Sequence, residues 1–329
     1  MKSPLGLFLL LLAGCAASTS TPTTPDTNTE TIAEVRQRDQ DQATSDQRRR
    51  SFQNVLLQLD QAMESHAQAL ANRGVARADE ATARLEKLLQ ETVLDRRSVR
   101  IKPGQTPPPP GDNFARLKAA AIDGSNTDAQ GIALAALGFS GDNEVMPTIL
   151  AGAQLDNPVL VDRAVFGLAM LRAPATPPGV LAAIVDNSKL VEASRTQAAW
   201  ALHRLQPVSE KRAEIVAIWQ RLLGAPQGLP GGVLVQTLRG TGLLRDATHI
   251  GLVAPFLRHT VPMVRMAAAD ALARMNAQDH AADLITLLGP DEPVPNVRLH
   301  ARKALQELAG HADYGYDVAA WRKAFDRGK

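Results

Sequence analysis

The side chains that could do chemistry are few in this chain, and they are not grouped. His249, His259 and His280 lack the i, i+4 spacing that places two imidazoles on one helix face to hold a metal ion. We interpret them as separate surface histidines. Ser140 lies in Gly138-Phe139-Ser140-Gly141, which lacks the Gly-x-Ser-x-Gly pattern and the preceding strand of a nucleophile elbow. A turn between two helices explains this serine.

A glycine pair at Gly240-Thr241-Gly242 could suggest a phosphate-binding loop. It lacks the preceding strand and the third glycine of a dinucleotide fingerprint. We therefore predict that the chain is not an enzyme, and that it has no catalytic, cofactor-binding or metal-binding residues.

The remaining reactive residue is Cys15, the only cysteine of the chain. Before it come Met1-Lys2 with one positive charge, an apolar run from Leu5 to Leu12, and two small residues, which is the layout of a secretory signal. The run of about eight residues is too short for a membrane-spanning helix, which needs roughly 20. With one cysteine, disulfides within the chain and thiolate metal clusters are excluded.

Leu12-Ala13-Gly14-Cys15 resembles the bacterial lipobox, whose cysteine is acylated and becomes the new N-terminus. The resemblance implies a signal peptide at 1–14, a lipidated Cys15 and a membrane anchor. In such lipoproteins an aspartate after the cysteine favours the inner membrane. Ala16 occupies that position here, which implies the outer membrane, facing the periplasm. The alternative is an ordinary signal peptide with a spare thiol.

Charge gives little support for a polyanionic partner. The 36 basic and 34 acidic residues are interspersed, for a net charge of +2. The densest basic run, Arg48-Arg49-Arg50, is typical of a solvated helix face. We therefore predict no nucleic-acid partner.

Between the cysteine and the C-terminal part, three segments differ in composition. Residues 15–28 contain almost no apolar side chains beyond the small alanines and predict a flexible tether. Residues 29–100 contain no proline and predict a helical stalk or coiled coil. Residues 101–112 contain Pro107-Pro108-Pro109-Pro110 and predict a stiff linker that separates two domains.

The helical segment contains two apolar stripes. The first is a short heptad seam, and the second is out of phase with it, after Gly74, which could end the first helix. This favours an antiparallel hairpin, although a kinked rod that pairs with a second copy through residues 50–72 is the alternative. The first stripe comprises Phe52, Leu56, Leu59, Met63, His66 and Leu70, and the second comprises Ala78, Ala81, Leu85, Leu88 and Thr92.

From residue 113 onward the chain repeats itself about every 34 residues. Val261-Pro262-Met263-Val264-Arg265 and Val294-Pro295-Asn296-Val297-Arg298 are the clearest pair, and both are followed by an alanine-rich stripe. A regular period over about 200 residues is typical of stacked helical pairs. The equivalent marker leucines are Leu134, Leu168, Leu202, Leu238, Leu272 and Leu305.

The repeats resemble HEAT repeats, especially the short bacterial form found in bilin lyase subunits, because Val-Arg is followed by an alanine-rich helix at Val264-Arg265. The resemblance implies an all-α solenoid of about six units over 113–329. It also implies that Arg195, Arg265 and Arg298 are structural, since such arginines commonly bind acidic groups of an adjacent repeat. The unit around Leu238 departs from the pattern, with glycines where alanines are expected.

Two observations bear on the end of the solenoid and on chemistry. Asp317 is a candidate N-cap, and Trp321 a candidate anchor, of a short closing helix. A HEAT-type metal hydroxylase binds iron through His-Glu pairs, yet no histidine here is followed by glutamate. That activity is therefore not supported.

Together these features predict a lipid-anchored, periplasm-facing HEAT-repeat protein that acts as a non-enzymatic scaffold or adaptor in the cell envelope. It would bind a protein partner on its solenoid surface, at residues that the sequence does not identify. One alternative is a structural envelope protein that oligomerises through its N-terminal helices. A more distant one is an accessory subunit of an envelope enzyme.

Overall fold

The computed structural model describes residues 32–71, 76–96 and 111–326. Every regular element within these residues is a helix, and none of the helices is long and apolar enough to cross a bilayer. Contacts divide the chain into two compact units, 1–50 and 51–329. In the first unit the described residues are the exposed first half of α1 (Ile32–Ala71). The signal peptide, Cys15, the tether, Gly74 and the prolines of the linker lie outside the described residues.

The second unit contains a solenoid of paired helices, which confirms the predicted fold class. Its described residues form six pairs, closed by α15 (Val318–Asp326), and they follow α2 (Ala76–Val93). In chain order the pairs are α3 (Asp112–Ile122) with α4 (Thr127–Leu137), α5 (Met146–Gly152) with α6 (Pro158–Leu171), α7 (Pro178–Asp186) with α8 (Glu192–Leu205), α9 (Arg212–Gly224) with α10 (Gly231–Leu244), α11 (Ile250–Val253) with α12 (Pro262–Arg274), and α13 (Ala281–Thr286) with α14 (Pro295–Leu308).

The pairs build two layers. The second helices of the pairs, α4 to α14, pack side by side, and each also packs on the first helix of its own pair. We call these two rows the first layer and the second layer. All six marker leucines lie in second-layer helices and are at most 2% exposed. The 34-residue period therefore located the helices correctly, because each period places one buried leucine in the shared core.

Local sequence explains where second-layer helices begin. Pro262 and Pro295 occupy the first turns of α12 and α14, where a missing N–H costs nothing. Asn157 caps α6 by accepting the N–H groups of Val159 and Leu160 at 3.1 and 3.4 Å. Alanines then let adjacent helices approach, and Ala268, for example, is fully buried.

The glycines of α10 replace alanines because neighbouring groups lie too close for a methyl. A Cβ on Gly240 would meet Trp219 Nε1 at 2.6 Å, and one on Gly242 would meet the Cα of Ala271 at 2.9 Å. The side chain of Gln206 fills the same space. It accepts the Trp219 indole N–H at 2.8 Å and donates to the Gly240 carbonyl at 3.0 Å. The departure from the repeat pattern is therefore a packing solution.

The predicted end of the solenoid is confirmed. Asp317 caps α15 by accepting the N–H groups of Ala319 and Ala320 at 2.9 and 3.0 Å. Trp321 is fully buried and donates its indole N–H to the Gly315 carbonyl at 2.9 Å. This helix covers α13, which has no following pair to pack against.

Residues 51–71 of α1 and helix α2 run antiparallel, as the hairpin prediction requires. The Phe52 end meets Arg116 of α3, whose guanidinium lies 4.3 Å from the ring centroid. The C-terminal end of α2 lies near the start of α3. The carbonyl of Leu94, just after α2, accepts the N–H of Gly111, just before α3, at 3.0 Å. Between them, His66 Nε2 lies 3.1 Å from Glu86 Oε1.

The hairpin differs from its sequence description in two respects. Leu88 is 42% exposed while Leu89 is fully buried, so the prediction that Leu88 lies on the packed side is wrong. Thr92 of the predicted stripe is buried, at 3% exposure, and Leu89 is buried in place of Leu88 because α2 packs on the solenoid as well as on α1. The sequence also suggests a domain boundary at 101–112, whereas residues 51–329 form one compact unit. Burial of the hairpin against the solenoid is the reason.

Candidate interaction surface

The second layer presents one continuous stripe of side chains on the side away from the first layer, which we call the second-layer face. Its register follows the marker leucines. On each helix from α6 to α14, the residue two positions before the marker leucine is at least partly exposed. On α4 the equivalent residue is Ile132. These residues are Phe166, Trp200, Gln236, Asp270 and Lys303. They change from aromatic to polar along the solenoid.

Residues 51–71 of α1 lie across the beginning of this face. Arg163 of α6 forms an ion pair with Asp60 of α1 at 2.8 Å. Both side chains are more than a third exposed, so the pair orients α1 more than it stabilises the fold. Leu59 and Met63 on the same side of α1 are at most 2% exposed. Their burial supplies most of the binding energy.

Helix α2 crosses the same region nearer to the C-terminal ends of the second-layer helices. Gln90 donates its amide to the Ser140 carbonyl just after α4, at 3.4 Å. Asn113 of α3 donates to the Thr92 carbonyl at 3.4 Å. Leu89 and Val93 are fully buried. We call the part of the face beneath α1 and α2 the covered half.

His66 stands at the centre of the covered half. Its fully buried ring contacts Phe139 and Phe166 edge-on, at centroid distances of 5.2 and 6.4 Å. Burial lowers the pKa of His66, against the opposing effect of Glu86. The ring therefore packs among aromatic side chains and makes one hydrogen bond, to Glu86.

A cleft marks the edge of the covered half. Asp79 and Glu86 of α2 line it from one side, and Arg172, His203 and Arg204 line it from the solenoid side. The residues have opposite charges across the gap. The arginine at the end of α8 therefore faces carboxylates of the chain's own hairpin.

Arg204 is held in place by its own helix layer. Its Nε donates to the Ala169 carbonyl at 2.8 Å, and its guanidinium lies 5.3 Å from the Trp200 ring centroid. The Trp200 ring in turn stacks on Phe166 at 6.3 Å. These contacts continue the aromatic row from the covered half to its edge.

Beyond the cleft, no described helix lies across the second-layer face, and we call this part the open half. It begins at Leu243, which lines the cleft from the solenoid side, and it combines apolar surface, such as Met263 at 55% exposure, with two exposed arginines, Arg239 and Arg274. Neither arginine has an ion pair with a residue that the structure describes. The other side chains of the open half are Gln236, Met263, Met266, Asp270, Leu299, His300, Lys303 and Glu307. Asp270 and His300 contact each other at 2.8 Å.

The charge of the open half acts on His203. Burial, followed by the positive charges of Arg239, Arg274 and Arg204, lowers the pKa of His203 to about 4. These three arginines come from three successive second-layer helices. Each follows the marker leucine of its own helix by one or two residues.

His203 should make the fold sensitive to acid. In the unfolded chain it takes up a proton near pH 6.5, whereas in the fold it stays neutral down to about pH 4. Stability is therefore fully present above pH 6.5 and is lost as the pH falls toward 4. Between pH 7 and pH 5, we expect the unfolding free energy of the His203→Gln variant to fall by about 1–2 kcal/mol less than that of the parent chain. Urea unfolding at both pH values measures this, and an unchanged pH dependence would contradict it.

The structure places the other histidines and Ser140 in separate local roles. His259 Nδ1 accepts the Val261 N–H at 3.1 Å, His280 Nδ1 lies 3.0 Å from Asp283, and His249 Nε2 lies 2.9 Å from Gln220. His249 is only 4% exposed, so the interpretation as a surface histidine is wrong for this residue. Ser140 is in a turn after α4, where its hydroxyl accepts the Asp142 N–H at 3.1 Å. Among the described residues no three His, Cys, Asp or Glu side chains form a group that could hold a metal ion.

The three Val-Arg arginines differ. Arg265 donates to both carboxylate oxygens of Glu292 in the next pair, at 2.8 and 2.7 Å, which confirms the expected contact between repeats. Arg195 instead donates to the Val185 carbonyl at 2.7 Å. Arg298 has no ion pair with the residues that the structure describes. Sequence reasoning named none of the open-half arginines.

Comparisons with known proteins find similarity in structure but not in sequence family. No protein-family model and no curated protein sequence matches the chain. An engineered protein matches with 14% identity, 61% coverage of this chain, 98% of its own and a TM-score of 0.45. The complex of CpcE and CpcF of phycocyanin lyase from Nostoc sp. PCC7120 matches with 18% identity, 70% and 99% coverage and a TM-score of 0.42.

Human deoxyhypusine hydroxylase matches with 14% identity, 78% coverage of this chain, 98% of its own and a TM-score of 0.32. All three TM-scores lie below 0.5, so the fold assignment rests on the helix order and packing of the chain itself. By that packing, the chain is an all-α solenoid of HEAT-like helical pairs, with a helical hairpin on half of its second-layer face.

Proposed function

We propose that this chain is a non-enzymatic scaffold of the cell envelope that binds a protein partner on the open half of its second-layer face. A lipid on Cys15 would hold it at the outer membrane, facing the periplasm. The observation that carries the proposal is that the same face already binds two helices of its own chain. The covered half does so through buried leucines, an ion pair between Asp60 and Arg163, and a hydrogen bond from the Gln90 side-chain amide to the Ser140 carbonyl.

The open half has the properties of an interaction surface. It exposes two arginines without an ion pair to any described residue, and Leu243 and Met263 are 38% and 55% exposed. Arginine and methionine are enriched at protein interfaces. Solenoids offer such surfaces along their whole length because each repeat contacts only its neighbours.

Affinity capture from envelope extracts tests the proposal. The bait is the full chain, compared with Met263→Asp/Met266→Asp on the open half and with Ala217→Asp/Ala282→Asp on the first layer. We expect a protein that the parent chain and the first-layer variant retain and the open-half variant loses. If no captured protein depends on the open half, the scaffold proposal fails.

The anchor is tested separately. We expect Cys15→Ser to move the chain from the membrane pellet to the soluble fraction, because the acyl chains would supply the membrane affinity. Ala16→Asp is the matched variant, and it should keep the chain in the pellet but shift it from outer-membrane to inner-membrane fractions of a sucrose gradient. A Cys15→Ser chain that remains in the outer membrane would contradict lipidation at this residue.

The oligomeric alternative has less support from the packing. The heptad seam that could pair two copies is largely used within the chain, since Leu59 and His66 are fully buried and Met63 is 2% exposed. A second copy would have to displace the hairpin from its own solenoid. We therefore favour a scaffold over a structural protein that oligomerises through residues 50–72.

A further inference from the structure

The covered half shows which kind of segment the second-layer face accepts. Its occupants are helices that lie across several second-layer helices, with apolar side chains toward the face and carboxylates toward its arginines. Asp60 pairs with Arg163, and Asp79 and Glu86 line the same cleft as Arg204. The face therefore binds amphipathic helices that carry carboxylates.

The open half repeats the positively charged part of this arrangement. Arg239 on α10 and Arg274 on α12 continue the row that begins with Arg204 on α8. Each of the three follows the marker leucine of its helix by one or two residues, and α8, α10 and α12 pack side by side, so the arginines lie at similar positions along neighbouring helices. The acidic side chains of the open half do not neutralise this group. Asp270 is in contact with His300 at 2.8 Å, and Glu307 lies on α14, beyond α12.

A hydrogen-bond acceptor of the open half is also unused. The side-chain oxygen of Gln236 is buried and has no donor among the described residues. Gln236 lies one helical turn before Arg239 on α10. Such an orphaned acceptor costs free energy, and the Gln236 side chain must turn outward before a donor of a partner could reach it. This unpaired acceptor is therefore close to Arg239.

The spacing of the helices sets the spacing of the partner's charges. Packed helices lie roughly 8–10 Å apart, and a crossing helix rises about 1.5 Å per residue. Side chains about five to seven residues apart on a crossing helix therefore meet successive second-layer helices. Asp79 and Glu86 of α2 are separated by this interval.

We propose that the open half binds a helix of a partner protein that carries carboxylates about seven residues apart, beside an apolar stripe, and that these carboxylates pair with Arg239 and Arg274. The partner helix continues across α10 and α12 the arrangement that α2 makes at α8. This inference rests on the proposed scaffold function and adds the chemical class of the partner.

The test uses the purified full chain and a synthetic helix of about 20 residues with glutamates at i, i+7 and i+14. A matched peptide carries glutamine at these positions. We expect Arg239→Glu/Arg274→Glu to weaken binding of the glutamate peptide at least about tenfold, with a loss of its salt dependence. The matched control is Arg212→Glu/Arg322→Glu, two exposed arginines of the first layer and α15, which should change affinity by no more than about twofold.

Helicity by circular dichroism checks that each variant is folded, and Arg239→Gln/Arg274→Gln repeats the test if charge reversal disturbs the fold. Equal losses in the two variant pairs, equal binding of both peptides, or no binding to the parent chain would overturn the proposal. Binding of phosphatidylglycerol vesicles through Arg239 and Arg274, without peptide binding, would overturn it in favour of a lipid surface.

The inference and the scaffold function fail in different ways. A captured protein that depends on Met263 and Met266 but keeps its affinity when the charges of Arg239 and Arg274 are reversed overturns only the acidic helix. A chain that captures no protein through the open half overturns the scaffold as well.

Discussion

Gly167→Ala is expected to lower the free energy of unfolding by about 3 kcal/mol, near the upper end of the usual cost of overpacking. A Cβ at this position of α6 would lie 2.4 Å from the Leu134 carbonyl oxygen and 3.2 Å from Ile149 Cγ2. The first of these atoms belongs to the backbone of α4 and cannot rotate away. The two second-layer helices would have to separate.

Gly179→Ala is the matched control, because it makes the same chemical change in helix α7 with nothing within 4 Å of the added methyl. Alanine should there raise stability by up to about 1 kcal/mol, through its greater helix propensity. Urea unfolding followed by circular dichroism measures both variants. Equal effects of the two substitutions would contradict the close approach of α4 and α6.

Arg265→Ala is expected to cost about 3 kcal/mol, because it leaves the buried carboxylate of Glu292 without its cation. The arginine and glutamate side chains are only 12% and 5% exposed. Arg265 also donates to the His259 and Thr260 carbonyls, at 2.8 and 3.1 Å. One side chain thus joins two pairs of the solenoid and the turn before α12.

Arg221→Ala serves as its control. Arg221 makes a two-pronged contact to Asp186 across neighbouring pairs, at 3.1 and 2.8 Å, but the side chains are 50% and 45% exposed. Its loss should cost no more than about 1 kcal/mol. The double variant Arg265→Ala/Glu292→Ala should lose less than the sum of its single variants. Comparable losses for Arg265→Ala and Arg221→Ala in denaturant unfolding would show that burial does not determine the effect.

The repeats could be predicted from the sequence because their determinants are local and periodic. One buried leucine recurs in each second-layer helix, and proline or asparagine sets where several of those helices begin. Even the irregular unit of α10 follows the period. Only its glycines needed the structure for an explanation, since the reason for Gly240 is Trp219 of the preceding helix.

The position of the hairpin could not be predicted in the same way, because its contacts join residues far apart in the chain. Asp60 and Arg163, or Gln90 and Ser140, have no local pattern that connects them. A usable signal exists in the repeats themselves. The position two before the marker is apolar in Ile132, Phe166 and Trp200, which predicts that something covers this stretch of the face.

The same positions become polar at Gln236, Asp270 and Lys303, where the face is open. Reading equivalent positions across repeats would therefore have located the edge of the covered half. The arginines are harder to recognise, because Arg239 and Arg274 occupy slightly different registers relative to their marker leucines. Their grouping becomes visible only when α10 and α12 are packed side by side. Cys15, the one residue that the sequence singled out, lies outside the described residues and stays a prediction.

The central claim is that one face of the solenoid binds helices, with its own hairpin on one half and a partner on the other. Photo-crosslinking in the native envelope tests it most directly, with a photoreactive residue at Arg163, Gln236 or the exposed first-layer residue Ala217. We predict adducts from position 163 to α1 of the same chain, from position 236 to another protein, and no specific adduct from position 217. Identical adducts from positions 236 and 217, or none between position 163 and α1, would contradict the account.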